Sequence, residues 1–315
     1  PSGHAHATQA YSRLIAHATS EHAPLIDAAQ AQDLVKQTGF RFVFRTRTAL
    51  DAAVARAQRL ETAFGVPHRA EDTTVLSRAE PALQPGLVGA VHWLSPWAVQ
   101  DPGALVARYA ALFQARGGHW THGDATTLQR TTHGWGVQTA SGVLDAPHAV
   151  VALGPWSDRL IRHWGYRWPL FIKRGYHQHY QGGAVLNQPV LDAEKGYVLA
   201  PMQRGTRLTT GAEFAPVDAP PTPVQVPKAE RFARGLIDLG HALPEAPWVG
   251  ARPCTADMLP VMGAAPHHPG LWFNFGHGHQ GFTLGPVAGR LLAEMVAGEA
   301  PVVDPTPYLP TRFGA

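Results

Sequence analysis

Three glycines within six residues, Gly276-His277-Gly278-His279-Gln280-Gly281, constrain this chain more than any other feature. They stand between an apolar alternating run over residues 271–275 and a helical pattern over residues 283–297. In that pattern Leu284, Val287, Leu291, Leu292, Met295 and Val296 share one face. A strand, a glycine-rich turn and a helix in this order bring backbone amides and the positive end of a helix dipole to one point, which suits a carbonyl or an anionic ring edge. The spacing also fits the G-x-G-x-x-G pattern of dinucleotide-binding βαβ units, and Asp304 follows at about the twenty-residue distance such units use. The next strand of that unit would have to be Val302-Val303, between Pro301 and Pro305, and two residues between prolines do not make a central strand. The loop therefore reads as a ligand-facing turn without a full dinucleotide unit around it. Close helix–strand packing, with Gly285 and Gly289 as a small face, is the plainer alternative.

The rest of the chain alternates helices and strands. Leu14, Ile15, Leu25, Ile26 and Leu34 predict a helix over residues 10–35, and Phe40, Phe42 and Phe44 predict a strand. Thr48 with Asp51 reads as the capped start of a helix that Gly65 ends, and Asp101-Pro102 starts another. Turns at His133-Gly134 and Ser141-Gly142 predict a meander over residues 126–144, followed by a buried strand over 149–153. Strands are expected over 176–180, 196–200 and 207–210, a helix over 229–242, and a proline-rich tail over 301–315 lying on the surface. This is an α/β (α+β) pattern.

The chain's 315 residues suggest about two domains. Lys and Arg number 26 against 23 Asp and Glu, and charged residues make up only 16%, so no basic patch marks a nucleic-acid partner. A single cysteine, Cys254, cannot form an internal disulfide and points to a reducing compartment. No apolar run approaches the ~20 residues of a membrane span.

Several separate motifs carry a resemblance. The run Gly250-Ala251-Arg252-Pro253-Cys254-Thr255-Ala256-Asp257-Met258-Leu259-Pro260, then 271–275, then Gly276 to Pro286, is similar to the C-terminal signature of the FAD-dependent D-amino acid oxidase/dehydrogenase family. Bacterial D-amino acid dehydrogenases are nearest within it, with glycine oxidase close by. Val150 to Ser157, Gly196-Tyr197-Val198, Gly211-Ala212-Glu213 and Asp101-Pro102-Gly103 fall in the family's order, so the resemblance covers essentially the whole chain.

The resemblance implies a partial Rossmann-like FAD-binding domain (residues 1–36, 101–160 and 249–315) interleaved with a mixed-sheet substrate domain (37–100 and 161–248). It implies hydride transfer from the Cα of a small amino acid to non-covalent FAD, with a quinone or oxygen as electron acceptor. The alternatives are a glycine/sarcosine-type amine oxidase, or a non-catalytic subunit. Family members open with a strand, a G-x-G-x-x-G turn and a helix that grip the ADP half. That motif is expected outside this chain, on a preceding segment or a partner. A cytoplasmic location, peripheral to the inner membrane, is expected with it.

Among site residues, the resemblance assigns the substrate carboxylate to Arg252, whose planar guanidinium suits bidentate binding. A structural ion pair with Asp257 or Glu213 is the alternative. Tyr197 would add a hydrogen bond to the carboxylate, and His279 and His92 would line the site. Ala125, Ala152, Gly154, Trp156, Gly276, Gly278, His279, Gly281, Phe282 and Thr283 would contact FAD. His177/His179 and His277/His279 resemble metal-binding pairs, but they lack acidic or cysteine partners at suitable spacing, so no metal is expected. Cys254 lies three residues before Asp257, where relatives that attach flavin through cysteine place theirs earlier. A small buried residue is the expected role of Cys254.

Overall fold

Two apolar stripes at the N-terminus serve two different cores, and that is why the expected single helix divides. In the computed structural model, which describes residues 2–314, α1 (Ser2–Ile15) packs Ala10 and Leu14 on one cluster, while α2 (Ala18–Ala28) packs Ile26 on another. Residues 35–36 leave the helical reading altogether: β1 (Val35–Lys36) pairs with residues 98–99. Next come β2 (Phe40–Phe44), α3 (Arg47–Phe64), β3 (His68–Asp72), α4 (Thr73–Ala79), β4 (Gly89–Trp93) and β5 (Ala98–Val99). The α3 cap is Thr46 rather than Thr48, because the Thr46 hydroxyl accepts from the Ala49 amide and also donates to Glu194. α5 (Pro102–Ala115) starts as expected: Asp101 accepts from the Ala104 amide at 3.0 Å and Pro102 occupies the first turn.

The meander follows as β6 (Gly123–Arg130), β7 (Trp135–Thr139) and β8 (Gly142–Ala146). After β9 (Ala149–Val151) and α6 (Ser157–His163) comes the long β10 (Leu170–Gly182). β11 (Val190–Asp192), β12 (Tyr197–Met202), β13 (Gly205–Thr209) and β14 (Glu213–Phe214) then lead through the proline-rich loop to α7 (Gln225–Arg234). The expected helix over 229–242 stops early, since Gly235 ends α7 and β15 (Gly240–Ala242) joins the edge of β10. β16 (Trp248–Thr255), β17 (Val261–Ala264), β18 (Leu271–Phe275) and α8 (Gly281–Ala297) complete the order.

β10 pairs with β16 and β15 along one edge and with β13 and β14 along the other. The sheet continues through β12, β11, β2, β4 and β3 to ten strands. Side chains alternate between its faces. Tyr180, Tyr197, Leu199 and Leu208 point to one face and are buried with Ala229 and Ala233 of α7. Each fully buried apolar side chain there contributes about 1.5–3 kcal/mol. Lys173, Gly175, His177 and His179 of β10 point to the other face, beside Arg207 and Thr209 of β13 and Gly250 and Arg252 of β16.

A separate three-stranded sheet, β17-β18-β9, backs α8. β18 and β9 are parallel, with Leu271 beside Ala149 and Phe273 beside Val151. The tail does not lie loosely on the surface. Tyr308 is fully buried, its hydroxyl donates to the Ala10 carbonyl at 2.7 Å, and Arg312 pairs with Asp257. Val302 and Val303 form no strand; they pack against the α8 cluster.

Candidate active site

Parallel strands that end together release their following loops side by side, and open α/β sheets place ligands in that crevice. Here the loops are residues 152–156 after β9 and 276–281 after β18. Gly154, Gly276 and Gly278 adopt φ of 55°, 80° and 57°, a left-handed backbone that strains any other residue. Trp156 is 55% exposed, Ala152 is exposed, and Phe282 is exposed at the start of α8. No side chain caps α8, which continues directly from a 3-10 turn over Gly278–Gln280. A bridge between Cys254 and His277 ties the glycine loop to the end of β16. Behind it, His22 contacts the Phe282 carbonyl at 3.1 Å and the Tyr109 hydroxyl at 2.9 Å.

β16 brings Arg252 to this crevice. It lies cross-strand from Lys173, and the neighbouring cross-strand pair is Gly175 with Gly250. The absence of side chains at that pair leaves a floor. The Arg252 guanidinium occupies the space a Cβ at Gly175 would take, and the Trp248 ring occupies the space above Gly250. The His177 ring stacks on Trp248 at 4.8 Å, and His179 meets His177 edge-on at 5.1 Å.

Arg252 is partly buried and makes no ion pair or hydrogen bond through its guanidinium among the described residues. The ion pairs expected as the alternative go elsewhere: Asp257 pairs with Arg312 at 2.8 Å, and Glu213 pairs with Arg174 at 2.8 Å. Burial pushes the Arg252 pKa below the usual guanidinium value. The group stays charged nonetheless, since arginine does not deprotonate in proteins. Burial, then the charges of Arg252 and Lys173, lower the pKa of His279, which places that imidazole in the same field. Burial likewise pushes the Cys254 thiol up, and Cys254 is a small buried residue at 1% exposure.

Two assigned residues lie elsewhere. Tyr197 is on the opposite face from Arg252, 1% exposed, and its hydroxyl donates to Asp192 at 3.1 Å. It is a core tyrosine and cannot reach a ligand beside Arg252. His92 also points to that opposite face, on β4 near the far end of the sheet. There its ring meets the Thr38 carbonyl at 3.0 Å and lies 3.2 Å from Glu71. Ala125, on β6, packs against the cluster that holds Val151 and Phe273. Gly285 and Gly289 are exposed with nothing close by, so they are not the tight packing face expected of them.

Lys173, Gly175 and Trp248 went unread in the sequence as site residues, and Gly250 was read only as the start of the Arg252 motif. The one local signal was Gly175, a glycine beside a strand pattern, which marks close approach of other groups. Because Arg252 rests where a Cβ would sit, Gly175→Ala must displace a flexible side-chain end rather than backbone. We expect that variant to keep its thermal midpoint within about 2 °C and to raise KM roughly tenfold with kcat little changed. Unchanged KM would mean that Arg252 does not act from this position.

The crevice fits the flavin expected there. Left-handed glycines let backbone approach a flat ring, and Trp156 and Phe282 offer exposed aromatic surface. Among the described residues no cluster of His, Cys, Asp and Glu is placed to hold a metal.

Comparison with known proteins agrees. The family model described as FAD dependent oxidoreductase (DAO) matches residues 2–295. A glycine oxidase of Pseudomonas putida is 30% identical over 82% of this chain and 70% of its own length. A D-amino acid dehydrogenase of Cereibacter sphaeroides is 31% identical over 85% of this chain. The chain spans 63% of that dehydrogenase's length, a little under two thirds. The crystal structure of glycine oxidase from Geobacillus kaustophilus superposes with a TM-score of 0.80 at 23% identity, covering 96% of this chain and 81% of that one. The chain belongs to the DAO family of FAD-dependent oxidoreductases.

Proposed function

We propose that the protein oxidises the Cα–N bond of a small amino acid, in the manner of its D-amino acid dehydrogenase relatives. The observation that carries this reading is Arg252: a partly buried guanidinium with no internal partner, beside His279 and the glycine loop. Loop residues 152–156 and 276–283 would hold the flavin ring, and FAD when bound accepts the hydride from the substrate Cα. Arg252 binds the carboxylate bidentately and so fixes the direction in which Cα points. His279, kept neutral by burial and the adjacent cations, accepts a hydrogen bond from the amine without competing for the carboxylate. The N-terminus of α8, with its helix dipole, favours negative charge on the ring edge.

In this reading the ten-stranded sheet (residues 37–100 and 161–248, with β16) is the substrate side. The β17-β18-β9 layer with α1, α2, α5 and α8 is the FAD side. A glycine or sarcosine oxidase is the second reading, favoured by the Pseudomonas relative. Against it stands a cavity of about 320 Å³ next to His177 on the Arg252 face, lined by Phe40, Trp97, Val198, Met202 and Thr209. A glycine substrate would leave it empty. The acceptor is a quinone or oxygen. No helix among the described residues is long and apolar enough to cross a membrane.

The test is the visible absorbance of the purified protein with added FAD, followed anaerobically with a panel of D-amino acids and with glycine and sarcosine. Bleaching by a D-amino acid that exceeds bleaching by glycine and sarcosine is the expected result. Bleaching by glycine or sarcosine alone selects the second reading, and a bound flavin that none of them bleaches overturns both. No flavin uptake would mean that these residues do not hold flavin by themselves, as expected if the ADP-gripping motif lies outside this chain.

A further inference from the structure

The face that carries Arg252 carries a second cation, Arg207, for which the reaction above has no use. It sits on β13, cross-strand from His179 and from Ala200. Its guanidinium makes no ion pair or hydrogen bond among the described residues, and its Nε is sealed from solvent without an acceptor. The one acidic group whose field reaches it is Asp101, and Asp101 Oδ1 is engaged in capping α5. Glu245, whose field reaches the adjacent His179, does not compensate it either, being paired with Arg204 at the surface. His177 is neutral at pH 7, with burial and then the Arg207 charge holding its pKa at about 4, so it adds no second cation beside Arg207. A partly buried guanidinium with no hydrogen-bonded counter-charge is under-solvated, and an anionic ligand group relieves that cost.

Arg207 lines the 320 Å³ cavity, whose other walls are mostly apolar. The Arg252 guanidinium lies over Gly175, and Arg207 acts on both His177 and His179. Arg207 stands opposite His179, four strand residues from Gly175, or roughly 13 Å along β10. An extended amino dicarboxylate of four or five carbons, with a charge-assisted contact of about 2.8 Å at each end, covers most of that distance, and the long flexible side chain of Arg207 covers the rest.

We propose that Arg207 anchors the substrate's side chain and that the amino acid this site selects carries a second carboxylate, as aspartate or glutamate does. The inference rests on the reading of Arg252 as the α-carboxylate clamp.

The experiment is calorimetric binding of glutarate and of valerate, a monocarboxylate of equal length, to the purified protein. Glutarate is expected to bind roughly 10- to 100-fold tighter, the worth of one hydrogen-bonded charge pair. Arg207→Gln is expected to abolish that ratio, and Arg207→Lys to restore part of it. Equal binding of the two acids, no measurable binding of either, or a ratio that survives Arg207→Gln overturns the proposal. The Arg207→Lys variant and the wild-type ratio keep the test decisive if Arg207→Gln does not fold. Glutarate binding that Arg252→Gln leaves untouched would instead break the α-carboxylate reading, so the two failures are distinguishable. With the FAD-loaded protein, D-glutamate is expected to bleach flavin at lower concentration than D-glutamine.

Discussion

Arg252→Gln is expected to lower kcat/KM for every amino acid substrate about 100- to 1000-fold, because it strips the counter-charge from a carboxylate held in a partly desolvated crevice. The loss should fall on both parameters. KM rises as the carboxylate loses its partner, and kcat falls because the remaining contacts let Cα swing away from its reacting position. Arg252→Lys restores charge but not the planar fork, so it should recover only a minor part of the activity. A second readout separates this role from a structural one. Arg252 makes no internal ion pair through its guanidinium, since Asp257 and Glu213 are held by Arg312 and Arg174. Removing it therefore breaks nothing in the fold, and the urea midpoint of Arg252→Gln should match the parent or exceed it. A variant that loses stability in step with activity would place Arg252 among the structural ion pairs instead.

What the sequence makes legible about this site depends on whether its strands announce their faces. The glycine loop could be read because glycine density, a preceding apolar strand and a following amphipathic helix all act locally. Arg252 could be read because its motif is contiguous. Tyr197 and His92 were misplaced for one shared reason. Tyr197-Val198-Leu199-Ala200 and Ala90-Val91-His92-Trp93 are apolar at nearly every position, so nothing local tells which parity faces a ligand and which the core. Only the registers, carried from β16 through β10, β13, β12, β11 and β2 to β4, fix that Tyr197 and His92 oppose Arg252. The Gly175–Gly250 floor was hidden because its members are distant in sequence and meet only when β10 pairs with β16. The helix expected over residues 10–35 failed for a different reason: its stripe was continuous in sequence but divided between two cores.

Arg41→Met is expected to destabilise the protein by about 3–5 kcal/mol, the largest stability effect we predict for one substitution. Arg41 lies on β2, facing away from the Arg252 side, and is 6% exposed. Its Nε and Nη2 donate to the two oxygens of Glu71 at 2.7 and 3.2 Å, and its Nη1 donates to Glu80 at 3.1 Å. Glu71 and Glu80 are 3% and 0% exposed, so one guanidinium satisfies two sealed carboxyl groups. Burial raises the Glu80 pKa, with the Asn187 amide and Arg41 pulling the other way. Taking Arg41 away leaves Glu71 with little beyond the His92 ring at 3.2 Å, and removes from Glu80 the cation that favours its ionised form. The sign with pH follows. A carboxyl whose folded pKa is raised favours the folded state below its unfolded pKa and loses that contribution as pH rises through the folded value. The Arg41→Met variant should therefore recover part of its deficit when the urea melt is repeated at lower pH. Replacing all three groups together, by Arg41→Met with Glu71→Leu and Glu80→Leu, should return most of the stability, since the penalty lies in the uncompensated carboxyl groups and not in the missing attraction. A urea midpoint for Arg41→Met within about 1 kcal/mol of the parent would show that water or a rearranged His92 reaches these carboxyl groups and that the cluster is not sealed.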